Sequence, residues 1–121
     1  MIKLYVIVPK KPWMSKGKVA SQVAHAVAMS IRKTPQKLYE EWEKSGQCVI
    51  VLEAEDQIQM HGISKYLEQW KVPHHSYVDE GLTEVKFGDV TAISTIPLEE
   101  DKHWMFSTMK LFGSKRWRFL K

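Results

Sequence analysis

Five consecutive apolar residues, Leu4-Tyr5-Val6-Ile7-Val8, constrain this chain more than any other feature. Side chains alternate between the two faces of a strand, so a run with no polar member needs cover on both sides. The stretch from Ile2 to Val8 therefore reads as a strand inside a sheet flanked by helices. After a loop, Pro9 to Ser15, the period changes. From Lys16 or Gly17 to Lys33, Val19, Val23, Ala26 and Val27, joined by Ser30 and Ile31, recur at three and four residues. Ala20, Ala24, Ala26 and Ala28 keep this helix slim enough for close packing on a sheet.

The remaining elements follow from caps and breakers. Thr34-Pro35 supplies an N-cap and a proline at the first helical position of a second, acidic helix carrying Leu38 and Trp42, which Ser45-Gly46 ends. Cys48 to Leu52 reads as a second buried strand. Asp56 caps a third helix with Met60, Ile63, Leu67 and Trp70 on one face, and Pro73 marks its end. His74 to Val78 is a third strand, Asp79 to Glu84 a polar turn, and Val90 to Ile96 a fourth strand; Pro97 and the acids after it open a last helix. The order βααβαββα predicts an α/β fold with helices on both sheet faces, and 121 residues without repeat or linker predict one domain over 1–121.

Several chemistries are excluded by composition and spacing. No apolar run approaches the ~20 residues that span a bilayer, and the first strand is too short for a secretory signal, so no membrane partner is expected and the expected address is cytoplasmic. One cysteine, Cys48, in an apolar run, predicts a buried inert thiol and no disulfide or multi-thiolate metal site. Lys16-Gly17-Lys18-Val19 lacks the glycine and hydroxyl of a nucleotide P-loop, and there is no dinucleotide fingerprint. His74 and His75, adjacent on a strand, point to opposite faces and cannot share a metal. No metal or other cofactor is expected. The net charge of +4 conceals sorting: residues 1–39 hold eight bases and no acid, 40–101 hold all fourteen acids against four bases, and 102–121 hold six bases. If the two ends meet, they form a basic face suited to a polyanion; a solvated surface without a partner fits the modest total equally well. The tail Lys115-Arg116-Trp117-Arg118-Phe119 mixes bases with aromatics, which suits nucleic acid or a docked terminus.

The start of the first long helix is the place where chemistry concentrates. Lys16, Gly17 and Lys18 bring two ammonium groups to unpaired helix N–H groups, a site suited to a phosphate or an oxyanion. Lys18, Gln22 and His25 form a polar stripe at i, i+4 and i+7. A hydrogen-bonded structural role fits Gln22 and His25 as well as a catalytic one, whereas Lys18 has a specific electrostatic use at a glycine-opened helix start.

These residues carry a resemblance. Met14-Ser15-Lys16-Gly17-Lys18-Val19-Ala20-Ser21-Gln22-Val23-Ala24-His25-Ala26 resembles the M-G-K-G-K-x-A-A-Q-x-x-H-A signature of the archaeal and eukaryotic (type II) peptidyl-tRNA hydrolases. Trp42 with Ser45-Gly46-Gln47 resembles that family's W-x-x-x-G-Q, and Asp79-Glu80-Gly81-Leu82-Thr83-Glu84-Val85 its D-A-G-R-T-Q-[IV]. Gly88, Thr91 and Pro97 recur at the spacing of its G-[ST]-x-T strand and following proline, so the resemblance covers about residues 1–112. Departures are Ser15 for glycine, Ser21 for alanine, Leu82 for the usual arginine, Asp89 for Ser or Thr, and Lys11 where many members have aspartate.

The resemblance implies a three-layer α/β/α sandwich around a four-stranded mixed sheet, with the last strand antiparallel to the others. It implies metal-independent hydrolysis of the ester joining a peptide to the 3′ ribose of tRNA, with peptidyl-tRNA as the RNA partner, and leaves a homodimer open. The family's catalytic positions correspond to Lys18, Asp79, Thr83 and Thr91, with Gln22 and His25 supporting. Asp79 is then the general base or water-orienting carboxylate. Lys18 stabilises the oxyanion and lowers the pKa of Asp79, and the two threonines position water or ribose. Lys10, Lys11 and Lys16 are the expected grip on tRNA phosphates. Neither Lys18 nor Asp79 is expected to be part of the buried interior. A non-catalytic tRNA- or protein-binding module on the same fold is the alternative, as is a related aminoacyl-ester hydrolase.

Overall fold

The computed structural model describes residues 1–81 and 88–115. Four strands, β1 (Lys3–Pro9), β2 (Cys48–Ala54), β3 (His74–Val78) and β4 (Val90–Thr95), form one sheet in the order β2-β1-β4-β3. β1 and β2 run parallel, and β4 is antiparallel to both β1 and β3. The two central strands are the most deeply buried ones: every residue from Leu4 to Val8 and from Val90 to Thr95 is buried.

Helices α1 (Lys16–Ile31), α2 (Gln36–Lys44) and α3 (Gln57–Gln69) supply the cover that such strands require. On one face Leu4, Val6 and Val8 pack with Ala26 of α1, Trp42 of α2 and Met14. On the other Tyr5 and Ile7 pack with Met60 and Leu67 of α3 and with Phe106, which stacks on Tyr5 at 4.4 Å between ring centroids. The expected three-layer α/β arrangement is therefore present, and the site described below sits where it leaves the carboxyl ends of β1 and β3 beside the start of α1.

Three local expectations are corrected. Thr34 does not cap α2: the helix starts at Gln36 behind Pro35, and the Thr34 hydroxyl donates instead to the Ser30 carbonyl at 3.1 Å, the backbone competition typical of threonine. The last helix is a 3-10 turn, Glu100–Phe106, because its apolar residues Trp104, Met105 and Phe106 are contiguous and bury only Phe106, leaving no stripe at α-helical spacing. β2 is an edge strand rather than a fully buried one, so Val49 is exposed and Cys48 only half-buried. Its outer edge is partly covered by the segment after the 3-10 turn, through Glu53 N–H to Lys110 O and Phe112 N–H to Val51 O, both 3.0 Å.

α1 meets the sheet along the expected stripe, with Val19, Val23, Val27 and Ile31 half-buried against the core, and adds a buried polar line beside them. Its buried positions are Gln22, Ala26 and Ser30, one residue per turn, while Ala20, Ala24 and Ala28 face solvent. Two of these three are polar because β4 offers polar partners beneath them. The Thr91 hydroxyl donates to Gln22 Oε1, and Ser30 Oγ lies 2.9 Å from Ser94 Oγ. Polar groups buried in this way are stable because they are paired.

Candidate active site

Two turns of backbone bring distant residues together at this end of the sheet. At the first, Ser15 adopts an extended conformation and its hydroxyl accepts from Lys18 N–H at 3.2 Å, capping α1. The capped turn leaves Lys16 exposed and directs Lys18 inward. At the second, the register of β3 and β4 shifts between Tyr77 and Val78, and the chain beyond is closed by Asp79 N–H to Asp89 O at 3.0 Å and Gly88 N–H to Asp79 O at 3.1 Å. Gly88 takes φ +91°, a left-handed conformation open to glycine. Asp89 thus serves through its carbonyl, so a change of side chain there leaves the closure intact.

Lys18 Nζ reaches Asp79 Oδ1 at 2.8 Å, with the two side chains only 12% and 5% exposed. The other carboxylate oxygen, Oδ2, accepts from Gly81 N–H at 2.5 Å. Burial pushes the Asp79 pKa up, but the Lys18 hydrogen bond, the Gly81 N–H and the Lys18 charge together outweigh it and hold the carboxyl below its ordinary value. The expectation that neither residue enters the interior is overturned for Asp79. Asp79 itself is the anion at Lys18, as the expected lowering of its pKa by Lys18 requires.

A cleft of about 220 Å³ opens over this pair, lined by Lys18, Ser21, Gln22, His25, Tyr77, Asp79 and Glu80. Gln22 forms part of its floor. Thr91 is fully buried beneath, its hydroxyl given to Gln22 rather than to the open cleft. His25 lies exposed at the rim with its ring stacked on Tyr77, 4.8 Å between centroids and 12° from parallel. From the opposite face of the sheet, Gln57 at the start of α3 holds both backbone groups of Val90: Val90 N–H to Oε1 at 2.8 Å and Nε2 to Val90 O at 2.9 Å. That clamp fixes the strand position beside Thr91 and beside the Asp79 loop.

Of the residues expected from sequence, Lys18, Asp79, Gln22, His25 and Thr91 come together here, and Thr83 lies outside the described residues. Lys10 and Lys11 do not line this cleft. Lys10 borders a separate groove with Lys110, Lys115, Glu53 and Glu55, and Lys11 Nζ is 3.6 Å from Glu55. The basic ends of the chain therefore do meet, but with two glutamates between them and not as a purely basic face. Lys115 is the one member of the basic aromatic tail within the described residues. Tyr77 and Gln57 were not singled out by sequence. Tyr77 was findable, standing two residues before Asp79 and so on the same strand face, whereas nothing local marks Gln57.

A family model described as "Peptidyl-tRNA hydrolase PTH2" matches residues 2–112. Curated proteins named peptidyl-tRNA hydrolase are similar over most of the chain. The protein from Thermoplasma acidophilum is 36% identical over 106 residues, which is 84% of this chain and 91% of that one. The protein from Thermoplasma volcanium is 35% identical over 100 residues, 80% of this chain and 86% of its own. That from Thermococcus onnurineus is 29% identical over 102 residues, 82% and 86% respectively.

Proposed function

The chain belongs to the peptidyl-tRNA hydrolase PTH2 family, and on that premise we propose that the hydrolysis of peptidyl-tRNA it carries out takes place at the Lys18–Asp79 pair. The observation that carries this assignment is a shielded ion pair, 2.8 Å long, on the floor of an open cleft at a helix start. Water adds to the ester carbonyl, the bond from the carbonyl carbon to the ribose 3′ oxygen breaks, and the proton from water ends on that oxygen. The products are the peptide acid and free tRNA.

Each residue has a task set by its surroundings. Lys18 has three N–H donors and gives one to Asp79, so two remain for the oxyanion that develops on the carbonyl. Asp79 stays ionised well into acid, which makes it a weak proton acceptor; its carboxylate orients the attacking water and holds Lys18 in place rather than acting as a base tuned to neutral pH. Thr91 acts through Gln22: by donating to Oε1 it fixes the amide, whose Nε2 donates to Ser21 Oγ at 3.4 Å and keeps a second N–H. Thr83 is assigned by resemblance alone, from its place four residues after Asp79. Lys16, exposed at the first position of α1, and Lys10 and Lys11 in the segment before it are assigned to tRNA phosphates. The same reading takes residues 1–121 as one domain and places the reaction in the cytoplasm, where translation supplies the substrate.

The test is release of a blocked amino acid from N-acetyl-aminoacyl-tRNA by the parent protein and by Lys18→Met and Asp79→Asn variants shown to be folded. Turnover should fall by roughly 10²-fold or more in each, the scale of losing an oxyanion donor, and the double variant should lose far less than the product. Parent-like rates in both folded variants would refute the assignment. A folded parent that binds tRNA tightly without hydrolysing it would instead favour the non-catalytic module.

A further inference from the structure

The His25–Tyr77 ring pair has no task in the chemistry above. His25 is exposed, yet one face of its ring lies flat on Tyr77, so its accessible surface is the opposite face and the edges. Tyr77 is in turn half-buried on β3 and packed against the apolar core beneath α1, which makes the platform rigid before any ligand arrives. Both rings line the cleft that holds Lys18 and Asp79.

The spacing matches the substrate. His25 follows Lys18 by seven residues, two helical turns, which keeps it on the same face of α1 and about 10 Å along the axis. An ester on a ribose 3′ oxygen and the base of that same nucleotide are separated by a ribose, a span that fits between these two side chains. Ser21 and Gln22, polar and between them on the cleft wall, border the intervening sugar. A planar base stacking on a pre-ordered imidazole gains affinity without the cost of ordering that side chain.

Resting on the reading of Lys18 and Asp79 as the hydrolytic pair, we infer that the outer face of His25, held flat by Tyr77, is the stacking platform for the terminal base of the tRNA 3′ end. It fixes where the ester lies over Lys18. His25 is thereby a binding and specificity residue rather than an acid or base, and Tyr77 is its positioning residue.

The test compares two small substrates, an N-acetyl-aminoacyl ester on the 3′ oxygen of adenosine and the same ester on an abasic ribose, in the parent and in His25→Leu, His25→Phe and Tyr77→Ala proteins. The parent should favour the adenosine ester in kcat/KM by ~10-fold or more, the lower range of base–aromatic stacking. His25→Leu and Tyr77→Ala should erase that preference, chiefly through KM, and His25→Phe should restore most of it. Exposure of His25 keeps its variants folded, which a thermal melt checks. A preference undiminished in His25→Leu, or a loss confined to kcat with KM and preference unchanged, overturns the platform. Absence of hydrolysis of either ester and of N-acetyl-aminoacyl-tRNA by the folded parent overturns instead the reading on which it rests, so the two failures are told apart.

Discussion

Replacing Lys18 by methionine keeps most of the side chain's length and removes its charge, and the structure sets the size of the result. At 2.8 Å, with Asp79 5% exposed, the pair is shielded enough that an effective dielectric near 20 applies, for which Coulomb attraction is about 4 kcal/mol at ordinary ion-pair separations. Breaking a buried pair from one side costs roughly 3–5 kcal/mol because the other charge stays buried. Asp79 keeps its Gly81 N–H and Lys18 is not fully sealed, so the lower end applies, about 3 kcal/mol at pH 7. With urea slopes of about 1–3 kcal/mol per molar for small domains, the midpoint should drop by roughly 1–3 M, read by tryptophan fluorescence. The pH dependence gives a second check. In the parent the Asp79 pKa is depressed, so its stabilisation is fully present above the unfolded carboxylate value of about 4 and is lost as pH falls through the lower folded value. In Lys18→Met burial dominates and the folded pKa rises, so the variant gains on the parent as the solution is acidified. Asp79→Asn added to Lys18→Met should recover at least half of the loss. A midpoint for Lys18→Met that matches the parent at pH 7, or a gap that widens in acid, would refute the argument.

Four further outcomes are expected. Thr91→Val leaves the Gln22 Oε1 buried without its donor and should cost about 1–3 kcal/mol in urea unfolding together with turnover, while Thr91→Ser should retain most of both. Ser15→Ala removes the α1 cap and should lower stability by about 1 kcal/mol, measured as a melting shift; no change would show that the cap contributes nothing. Raising salt should weaken tRNA binding with a slope of about 0.7–0.9 in log–log terms per phosphate contacted, and a flat titration would remove the lysine grip. Because the Asp79 carboxyl is held below its ordinary value, kcat should stay level from neutral pH into the ordinary carboxylate range at about 4, whereas a titration centred at about 6 or 7 would point to another group.

The architecture was legible because burial leaves a strong periodic trace. Leu4 to Val8 announced a central strand, and Met60, Ile63 and Leu67 marked the inner face of α3. The details that went unread depend on partners distant in sequence. Gln22 looks like a solvent position until Thr91 is placed beneath it, and the outward alanines look like a packing face until the helix is set onto the Gln22–Thr91 and Ser30–Ser94 pairs. Cys48 shares the composition of a core strand but occupies an edge, a matter of sheet order that local pattern does not encode. In the site, Lys18 and Asp79 were readable from motif and charge. Gln57 was not, since its two hydrogen bonds go to backbone atoms of Val90, which any residue there would provide.

The segment lying along the outer edge of β2 has a practical meaning for handling the protein. Its contacts are reinforced by the Lys110 ammonium 3.1 Å from Glu53 Oε2 and by Gly113 N–H on Glu53 Oε1 at 3.1 Å, so Glu53 fastens it from below. An uncovered strand edge is a template for another chain, and β2 also carries the exposed Val49. Shortening the chain to end before Lys110 keeps every fully buried core residue, removes the half-buried Phe112 packed on them, and should lead to aggregation through strand addition, detectable by light scattering and thioflavin fluorescence. Fusion partners joined after residue 115 avoid that exposure, and ones inserted between 107 and 112 invite it.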